Sequence, residues 1–215
     1  MKIYDISSPI EPTMPVWPGD PPVSIHEISK IEAGDDATVS EIQMSVHTGT
    51  HIDAASHFIE GGQTIDQIPF DKLVGEVLVL NINQNVKCIS ERVLRKHPLN
   101  NLLVKAKKVL FKTKNSRYWH EHSSEFHEDF VGIDVSGAEY LSFLNLDLVG
   151  VDYLSIAPFA ETNQPHLILL AKEIVLLEGI NLISIPEGVY QLYCLPLKII
   201  GCEGAPARVI LADPS

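Results

Sequence analysis

The chain has 215 residues, 45% of them hydrophobic, and a formal net charge of −12 at pH 7. No apolar run is long enough to cross a membrane and the N-terminus lacks the apolar core of a signal peptide, so we expect no membrane partner. The acidic balance, with no cluster of Lys and Arg beyond the short KAKK at 105–108, argues against a nucleic-acid partner, because phosphate backbones bind concentrated positive charge.

The first part of the chain is rich in proline. The segment SPIEPTMPVWPGDPP is expected to be extended and stiff, and Trp17 lies inside it. A Trp in a rigid loop is usually a packing anchor, and the functional alternative is an aromatic wall for a flat ligand. The alternation of EIQMSVH at 41–47 then predicts a half-buried strand whose polar face ends at His47.

The remaining elements indicate an α/β fold. Helices are predicted over 90–96 and 136–145, each beginning with a capping Ser, and a third over 164–172. The stretch 114–130 has no clear period and is predicted to be a surface loop. Because strands and helices alternate irregularly, we expect one domain over 1–215 with a large mixed sheet. Apolar runs bounded by turn residues predict strands at 75–83, 107–113, 146–152, 173–179, 188–204 and 207–213.

Cysteine usage favours a reducing compartment. Cys88, Cys194 and Cys202 lie far apart and form neither a disulfide framework nor a CxxC metal motif. Each lies in or beside an apolar run, which favours buried free thiols in a cytoplasmic protein.

The segment HTGTHIDAASHF, which begins at His47, concentrates potential metal ligands. If the chain is extended around His51 and Asp53, their side chains project to one side, and Gly49 lets His47 turn back towards them. Imidazoles with a carboxylate suit Zn²⁺, Mn²⁺ or Fe²⁺, and the lack of a nearby thiolate disfavours a structural zinc finger. His57 is either a fourth ligand or an unligated acid/base.

Two more distant regions are candidates for the same chemistry. The stretch HEHSSEFH at 120–127 could be a second metal tract, but its irregular acidic setting favours a solvated loop. His166 precedes an apolar run in which Glu178 ends a strand just before a Gly. A Glu at that place is well positioned for a site, although many such residues simply face water.

The segment HTGTHIDAASHF is very similar to the HxGTHxDxPxHF signature of the cyclase family of metal hydrolases, whose best-understood members are bacterial kynurenine formamidases. The resemblance covers most of the chain. It extends to DISSPIEPTMPVWPGD, GVDYLSIAP, His166 with the LLEG that follows it, and YQLYCLPLKIIGCEGAPARVIL near the C-terminus.

The resemblance implies a three-layer β/β/α fold with a mixed, barrel-like central sheet, assembled as a homodimer or higher homo-oligomer. It also implies two divalent metal ions per chain, most often zinc and sometimes manganese. On this chain, His47 and His51 would hold the first metal and His166 the second, with Asp53 and Glu178 as bridging carboxylates.

The resemblance further implies a proton shuttle at His57 and a pocket wall at Trp17. The chain departs from the signature at Ala55, which replaces a Pro. It also departs from the pattern of kynurenine formamidases at Thr50 and Phe58, where those enzymes carry Ala and Tyr, and at Asp152-Tyr-Leu-Ser, where they often have DTPS.

The implied activity is hydrolysis of an amide bond by a metal-activated water, with N-formylkynurenine or a similar aryl formamide of tryptophan catabolism as the small-molecule substrate. Hydrolysis of a cyclic amide, as in the isatin hydrolases of the same family, is the close alternative. Two other classes stay open at this point. One is a non-catalytic metal-binding protein, and the other is a mononuclear Fe²⁺ oxygenase, since two His and one carboxylate also form a facial triad.

Overall fold

The computed structural model describes residues 1–120 and 125–213, and most of its strands join one closed sheet. The six short helices are α1 (Phe70–Leu73), α2 (Glu91–Lys96), α3 (Asn100–Leu103), α4 (Ser116–His120), α5 (Val135–Ser142) and α6 (Asn163–Leu170). The strands are β1 (Ile3–Asp5), β2 (Ser24–Ser29), β3 (Val39–Gln43), β4 (His51–Asp53), β5 (Val74–Asn81), β6 (Cys88–Ile89), β7 (Lys108–Lys112), β8 (Gly132–Ile133), β9 (Leu148–Val151), β10 (Val175–Glu178), β11 (Gly188–Pro196) and β12 (Gly204–Ala212). In the part of the chain that these ranges cover, no helix combines the length and the apolar character needed to cross a bilayer.

The closed sheet is mixed. Strands β5, β7, β9 and β10 pair in parallel, and β11, β12 and β4 complete the circle through antiparallel pairs. Closure depends on β12. One edge of β12 pairs with β11, while its other edge pairs with β4 over Gly204–Pro206 and with β1 over Ile210–Ala212.

Two apolar clusters cover the two faces of the parallel strands. In β7, Leu110 points into the barrel, where it packs among Val77, Val79 and Leu177. The neighbouring Phe111 points outwards against the helices, in the cluster that contains Leu141 of α5 and Leu169 of α6. Successive side chains of a strand face opposite ways, so a strand that is buried on both faces has a continuous apolar run in its sequence. The predicted α/β fold with a barrel-like mixed sheet is confirmed. Two walls of the barrel form the two β layers of the predicted β/β/α arrangement, and the helices form the third layer.

The prediction of a surface loop over 114–130 is wrong for the described part of that stretch. It contains α4, and Trp119 and Phe130 are buried against Tyr153 in an aromatic cluster. The segment is held by the carboxylate of Asp152, which accepts hydrogen bonds from Thr113 and Ser116. These contacts join distant parts of the chain, and therefore leave no local period in the sequence.

Other differences from the predicted elements are local. Strand β3 covers 39–43 rather than 41–47, and it is exposed rather than half-buried, because it pairs with β2 alone. The predicted strand over 188–204 ends at Pro196, and the chain turns before β12 begins. Helix α5 is capped by Asp134, whose side chain accepts a hydrogen bond from the backbone of Gly137, and not by Ser136.

Two turns approach each other closely where β10 ends and β4 begins. Gly179 has a positive φ of 69°, and a Cβ atom at this position would lie 2.0 Å from the carbonyl oxygen of Gly49. The hydroxyl of Thr50 donates to the carbonyl of Gly179 at 2.7 Å and accepts from the backbone N–H of Ser8 at 2.8 Å. These contacts fix β4 against β10 and against the N-terminal segment.

We expect the Gly179→Ala substitution to lower the free energy of unfolding by at least about 3 kcal/mol, since it combines a strained φ with a backbone clash. Gly61→Ala is the matched control, because Gly61 has a φ of 72° but nothing within 4 Å of its Cβ position. That variant should lose only about 1 kcal/mol. Urea unfolding measures the free energy of unfolding of both variants. Equal losses in the two variants would show that the close approach of Gly179 to Gly49 does not add to the cost of the substitution.

Candidate active site

The register of β4 places two potential ligands on one face of the sheet. His51 is paired with Glu178 on β10, and Asp53 is paired with Leu176. Paired residues of adjacent strands share a face, so His51, Asp53 and Glu178 all point outwards, towards the helical layer. The residue between the two ligands, Ile52, points into the barrel. The extended conformation expected around His51 and Asp53 is therefore present.

The five predicted metal ligands lie together. His51 Nε2 is 3.4 Å from Asp53 Oδ1 and 3.3 Å from Glu178 Oε2. His166, on α6, places its Nε2 3.2 Å from Glu178 Oε1 and 3.9 Å from Asp53 Oδ2. His47 Nδ1 is 2.8 Å from Asp53 Oδ1. The structure thus brings together residues from β4, from β10, from α6 and from the turn that precedes β4.

These residues form two overlapping groups that could each hold a metal ion. One group is His47, His51 and Asp53, and the other is Asp53, His166 and Glu178. Within each group the candidate ligand atoms all lie within 4.8 Å of one another. Asp53 belongs to both groups, as expected of a bridging carboxylate.

Backbone carbonyls orient two of the imidazoles. His51 Nδ1 lies 2.9 Å from the carbonyl oxygen of Gly49, and His166 Nδ1 lies 2.5 Å from that of Thr162. A ring nitrogen that donates to a carbonyl leaves the other nitrogen as the ligand atom. In both residues this is Nε2, which faces the carboxylates.

The burial of so many ionisable groups shifts their pKa values strongly. Burial lowers the pKa of His51, but hydrogen bonds and charge from Asp53 and Glu178 outweigh it and raise the pKa to about 10. The pKa of His166 is raised in the same way, against burial, chiefly by Glu178. Burial raises the pKa of Asp53, but the hydrogen bonds of His47 and His51 lower it well below its usual value. In the protein without metal, the carboxylates therefore favour the protonated forms of these imidazoles.

Two atoms of the cluster have no hydrogen-bond partner among the described residues. They are His47 Nε2 and Asp53 Oδ2, and both are buried. A buried polar atom without a partner is costly, and a cation bound beside either of these atoms would satisfy it. The donor set of imidazoles and carboxylates therefore fits a divalent transition metal.

His57 lies beside the ligands but belongs to neither group. It ends a short 3₁₀ helix, Ala55–His57, and its ring stacks on that of His47 with centroids 4.1 Å apart. Burial lowers the pKa of His57, so its imidazole is neutral. Ala55 occupies the first position of the 3₁₀ helix, which forms there without the signature Pro.

The cluster lies at the base of a pocket with an aromatic wall. Trp17 lines this pocket, and its ring packs against Phe126 and Phe159 with centroids 5.2 and 5.4 Å apart. Trp17 is therefore a packing anchor, and its place in the pocket lining leaves its role as a wall for a flat ligand as a prediction. Five further residues that line the pocket were not predicted from the sequence, namely Asp20, Phe58, Leu154, Ser155 and Thr162.

Some of these missed residues had a signal in the sequence. Asp20 follows Trp17 in the turn WPGD, and Phe58 follows His57 directly, so both were within reach of a local argument. Gly204 was also missed. It is paired with Asp53 on β4, and a Cβ atom at this position would lie 2.7 Å from His47 Cε1. Any other residue at position 204 would therefore displace the imidazole of His47.

The His-rich stretch at 120–127 makes no described contact with the cluster. Residues 121–124, including His122, lie outside the described part of the chain. The ring of His127 stacks on Tyr118 with centroids 3.9 Å apart, in the aromatic cluster. The favoured prediction of a solvated loop, rather than a second metal tract, therefore falls largely outside the described residues.

Comparisons with known proteins agree with this arrangement. The chain matches the model of the Cyclase family, described as "Putative cyclase", over residues 4–158. Cyclase-like protein 3 from Arabidopsis thaliana is 36% identical over 218 residues, which cover 98% of this chain and 79% of the relative. Kynurenine formamidase from Salinibacter ruber is 35% identical over 216 residues, which cover 99% of this chain and 98% of the relative.

The fold is shared with solved structures. One, described as a potential metal-dependent hydrolase with cyclase activity, has a TM-score of 0.82 to this chain at 34% sequence identity. The similarity covers 98% of this chain and 96% of that chain, so it includes the strands and the helix that carry the cluster.

We expect metal binding to release protons. At neutral pH a metal must displace the proton from His51, whose pKa is about 10 without metal. Metal affinity should therefore rise with pH, by about tenfold per pH unit for each proton displaced, between about pH 6.5 and 8. Calorimetric titration with Zn²⁺ in buffers of different ionisation enthalpy measures both affinity and proton release. A pH-independent affinity without proton release would contradict the pKa assigned to His51.

Proposed function

Because the chain belongs to the Cyclase family, we propose that it is a metal-dependent hydrolase that cleaves the amide bond of a small molecule. The proposed substrate is an aryl formamide, such as N-formylkynurenine of tryptophan catabolism. The observation that carries the proposal is the pair of ligand groups that share Asp53 at the base of a pocket, with His57 beside them. The kynurenine formamidase that is 35% identical over nearly its whole length supports the substrate class.

We assign two divalent metal ions to the site, with zinc as the first candidate and manganese as the second. His47 and His51 would hold one ion and His166 the other, while Asp53 and Glu178 would bridge. The two overlapping groups and the unpartnered His47 Nε2 and Asp53 Oδ2 support this assignment. When bound, such ions lower the pKa of a coordinated water and polarise the substrate carbonyl.

His57 would move the proton in the reaction. Its imidazole is neutral, because burial lowers its pKa, and it can therefore accept a proton from the attacking water. The same ring can then donate that proton to the leaving nitrogen. Its stacking on His47 holds the ring at the edge of the ligand cluster, where the water and the scissile bond would meet.

The pocket wall suits an aryl group. Trp17, Phe58 and Leu154 line the pocket. The two aromatic rings offer flat apolar surfaces, and Leu154 adds an aliphatic one. Two of the departures from the kynurenine formamidase pattern lie outside the pocket lining. Thr50 is used in bonds to Ser8 and Gly179, and Tyr153 is buried in the aromatic cluster. Phe58 and Leu154 are the departures that change the pocket itself.

We also propose that the chain forms a homodimer through the hairpin of β2 and β3. Among the described residues, the two strands pair only with each other. Ile25 and Ile42 are cross-strand partners on one face of the hairpin, with 40% and 55% of their surface accessible. A two-stranded hairpin is marginally stable alone in water, so this apolar face needs a cover. A second copy offers the same face across a two-fold axis. The expected cytoplasmic location stays a prediction.

Activity and metal content test the hydrolase together. The loaded protein should hydrolyse formanilides without oxygen, and chelation should abolish turnover. His57→Ala should keep its metal and lose about 10²- to 10⁴-fold in kcat, because it removes only the proton carrier. His97→Ala is the matched control, since His97 lies outside the pocket and should keep full turnover.

Each result excludes one alternative. Unchanged turnover of His57→Ala would remove the role of His57. A requirement for oxygen would favour the Fe²⁺ oxygenase. If the metal-loaded protein hydrolyses neither aryl formamides nor cyclic amides, the hypothesis of a non-catalytic metal-binding protein would be favoured.

The dimer is tested by mass in solution. Light scattering should give about twice the chain mass of 23.8 kDa for the unaltered protein. The double variant Ile25→Asp, Ile42→Asp should give the mass of one chain, because four charges would be buried in a symmetric interface. Phe143→Asp is the control, because Phe143 is an apolar residue with 85% of its surface exposed outside the hairpin. A monomeric unaltered protein, or a dimeric double variant, would overturn the proposal.

A further inference from the structure

One turn presents an aromatic ring and a carboxylate to the pocket side by side. The backbone N–H of Asp20 donates to the carbonyl of Trp17 at 3.0 Å, which closes the turn over Pro18 and Gly19. Gly19 has a φ of 102°, a conformation that favours glycine. Trp17 is fixed by its packing on the aromatic cluster, so the carboxylate of Asp20 is held at the same rim.

The carboxylate of Asp20 has no partner in the structure. Among residues 1–120 and 125–213, it makes no ion pair and accepts no side-chain or backbone hydrogen bond, although it is half-buried. It also belongs to neither of the two groups that could hold a metal. A partly desolvated carboxylate is most stable with a cation beside it, and the described protein supplies none here.

Asp20 places a local negative charge at the rim of the pocket. No Lys or Arg is found among the described residues that line the pocket, and its histidines belong to the ligand cluster and to His57 beside it. An anionic group of a substrate at the rim would therefore meet the Asp20 carboxylate without a Lys or Arg beside it. A protonated amine would meet both that carboxylate and the ring of Trp17, which attracts cations through its face.

We propose that Asp20 is a specificity-determining residue, which selects amide substrates that carry a protonated amine on the aryl side of the scissile bond. The proposal rests on the proposed hydrolase function and adds the charge of its substrate. Asp20 binds the ammonium group and Trp17 packs against it and the aryl ring. The formyl carbon then lies over the His and carboxylate cluster. A neutral substrate lacks the ion pair, and a carboxylate at the same place is repelled.

Three formanilides that differ in one substituent test the selection. They carry an aminoethyl, a hydroxyethyl or a carboxymethyl group on the ring, and kcat/KM is measured for each with the metal-loaded protein. The expected order is amine, then alcohol, then carboxylate. In Asp20→Asn, the ratio of kcat/KM between amine and alcohol should fall about tenfold, mainly through KM.

A matched control separates the local charge from the net charge. Asp36→Asn removes an exposed carboxylate that lines no part of the pocket, and it should leave the ratio as in the unaltered protein. An unaltered ratio in Asp20→Asn, or a preference of the parent protein for the carboxylate, would overturn the proposal.

A binding measurement keeps the inference testable if the hydrolase proposal fails. An aryl ketone with the same aminoethyl group has no C–N bond to cleave at the cluster, and calorimetry gives its Kd directly. Asp20→Asn should weaken this binding about tenfold, while Asp36→Asn should not change it. If none of the formanilides is hydrolysed but this difference is found, the hydrolase proposal fails and the role of Asp20 stands. Equal affinities would reject the role of Asp20 alone.

Discussion

The pairing of β4 with both β10 and β12 is the constraint on which the site depends. β4 has only three residues, yet it is the strand that closes the barrel between two longer neighbours. A shift of one residue would turn Ile52 outwards and send His51 and Asp53 into an apolar interior. Burying both groups there would cost far more than the pairing provides, so the apolar pattern of the barrel and the chemistry of the site enforce the same register.

The cluster is an exception to the rule that cores are apolar, and its surroundings compensate for that. Gly49 and Thr162 orient imidazoles, the N–H of Ile156 donates to Glu178, and Gly204 leaves room for His47. The acids and imidazoles satisfy one another only in part, since two of their atoms remain without partners in the described structure. Groups that are expensive to bury and incompletely paired are typical of functional sites rather than of structural ones.

The sequence predicted the local parts of this arrangement well. His47, His51 and Asp53 were found because their spacing is short and their geometry follows from a turn and a strand. Glu178 and His166 were found by the position of a strand end and by resemblance. The aromatic cluster around Tyr153 was missed, and 114–130 was taken for a loop, because its contacts are with residues distant in sequence. Asp20 was missed although it follows Trp17 in the turn WPGD, because that position alone does not show whether the carboxylate lies at a pocket or in water.

Closure of the barrel has a kinetic consequence. The contacts between Gly204–Pro206 and β4 join parts of the chain about 150 residues apart, and such contacts form late because the loop entropy must be paid first. The pairing of β4 with β10 brings His51 and Asp53 to Glu178, and the pairing of β4 with β12 then closes the barrel behind them. The ligands therefore become rigidly held only after residues 204–206 have been synthesised and have paired with β4.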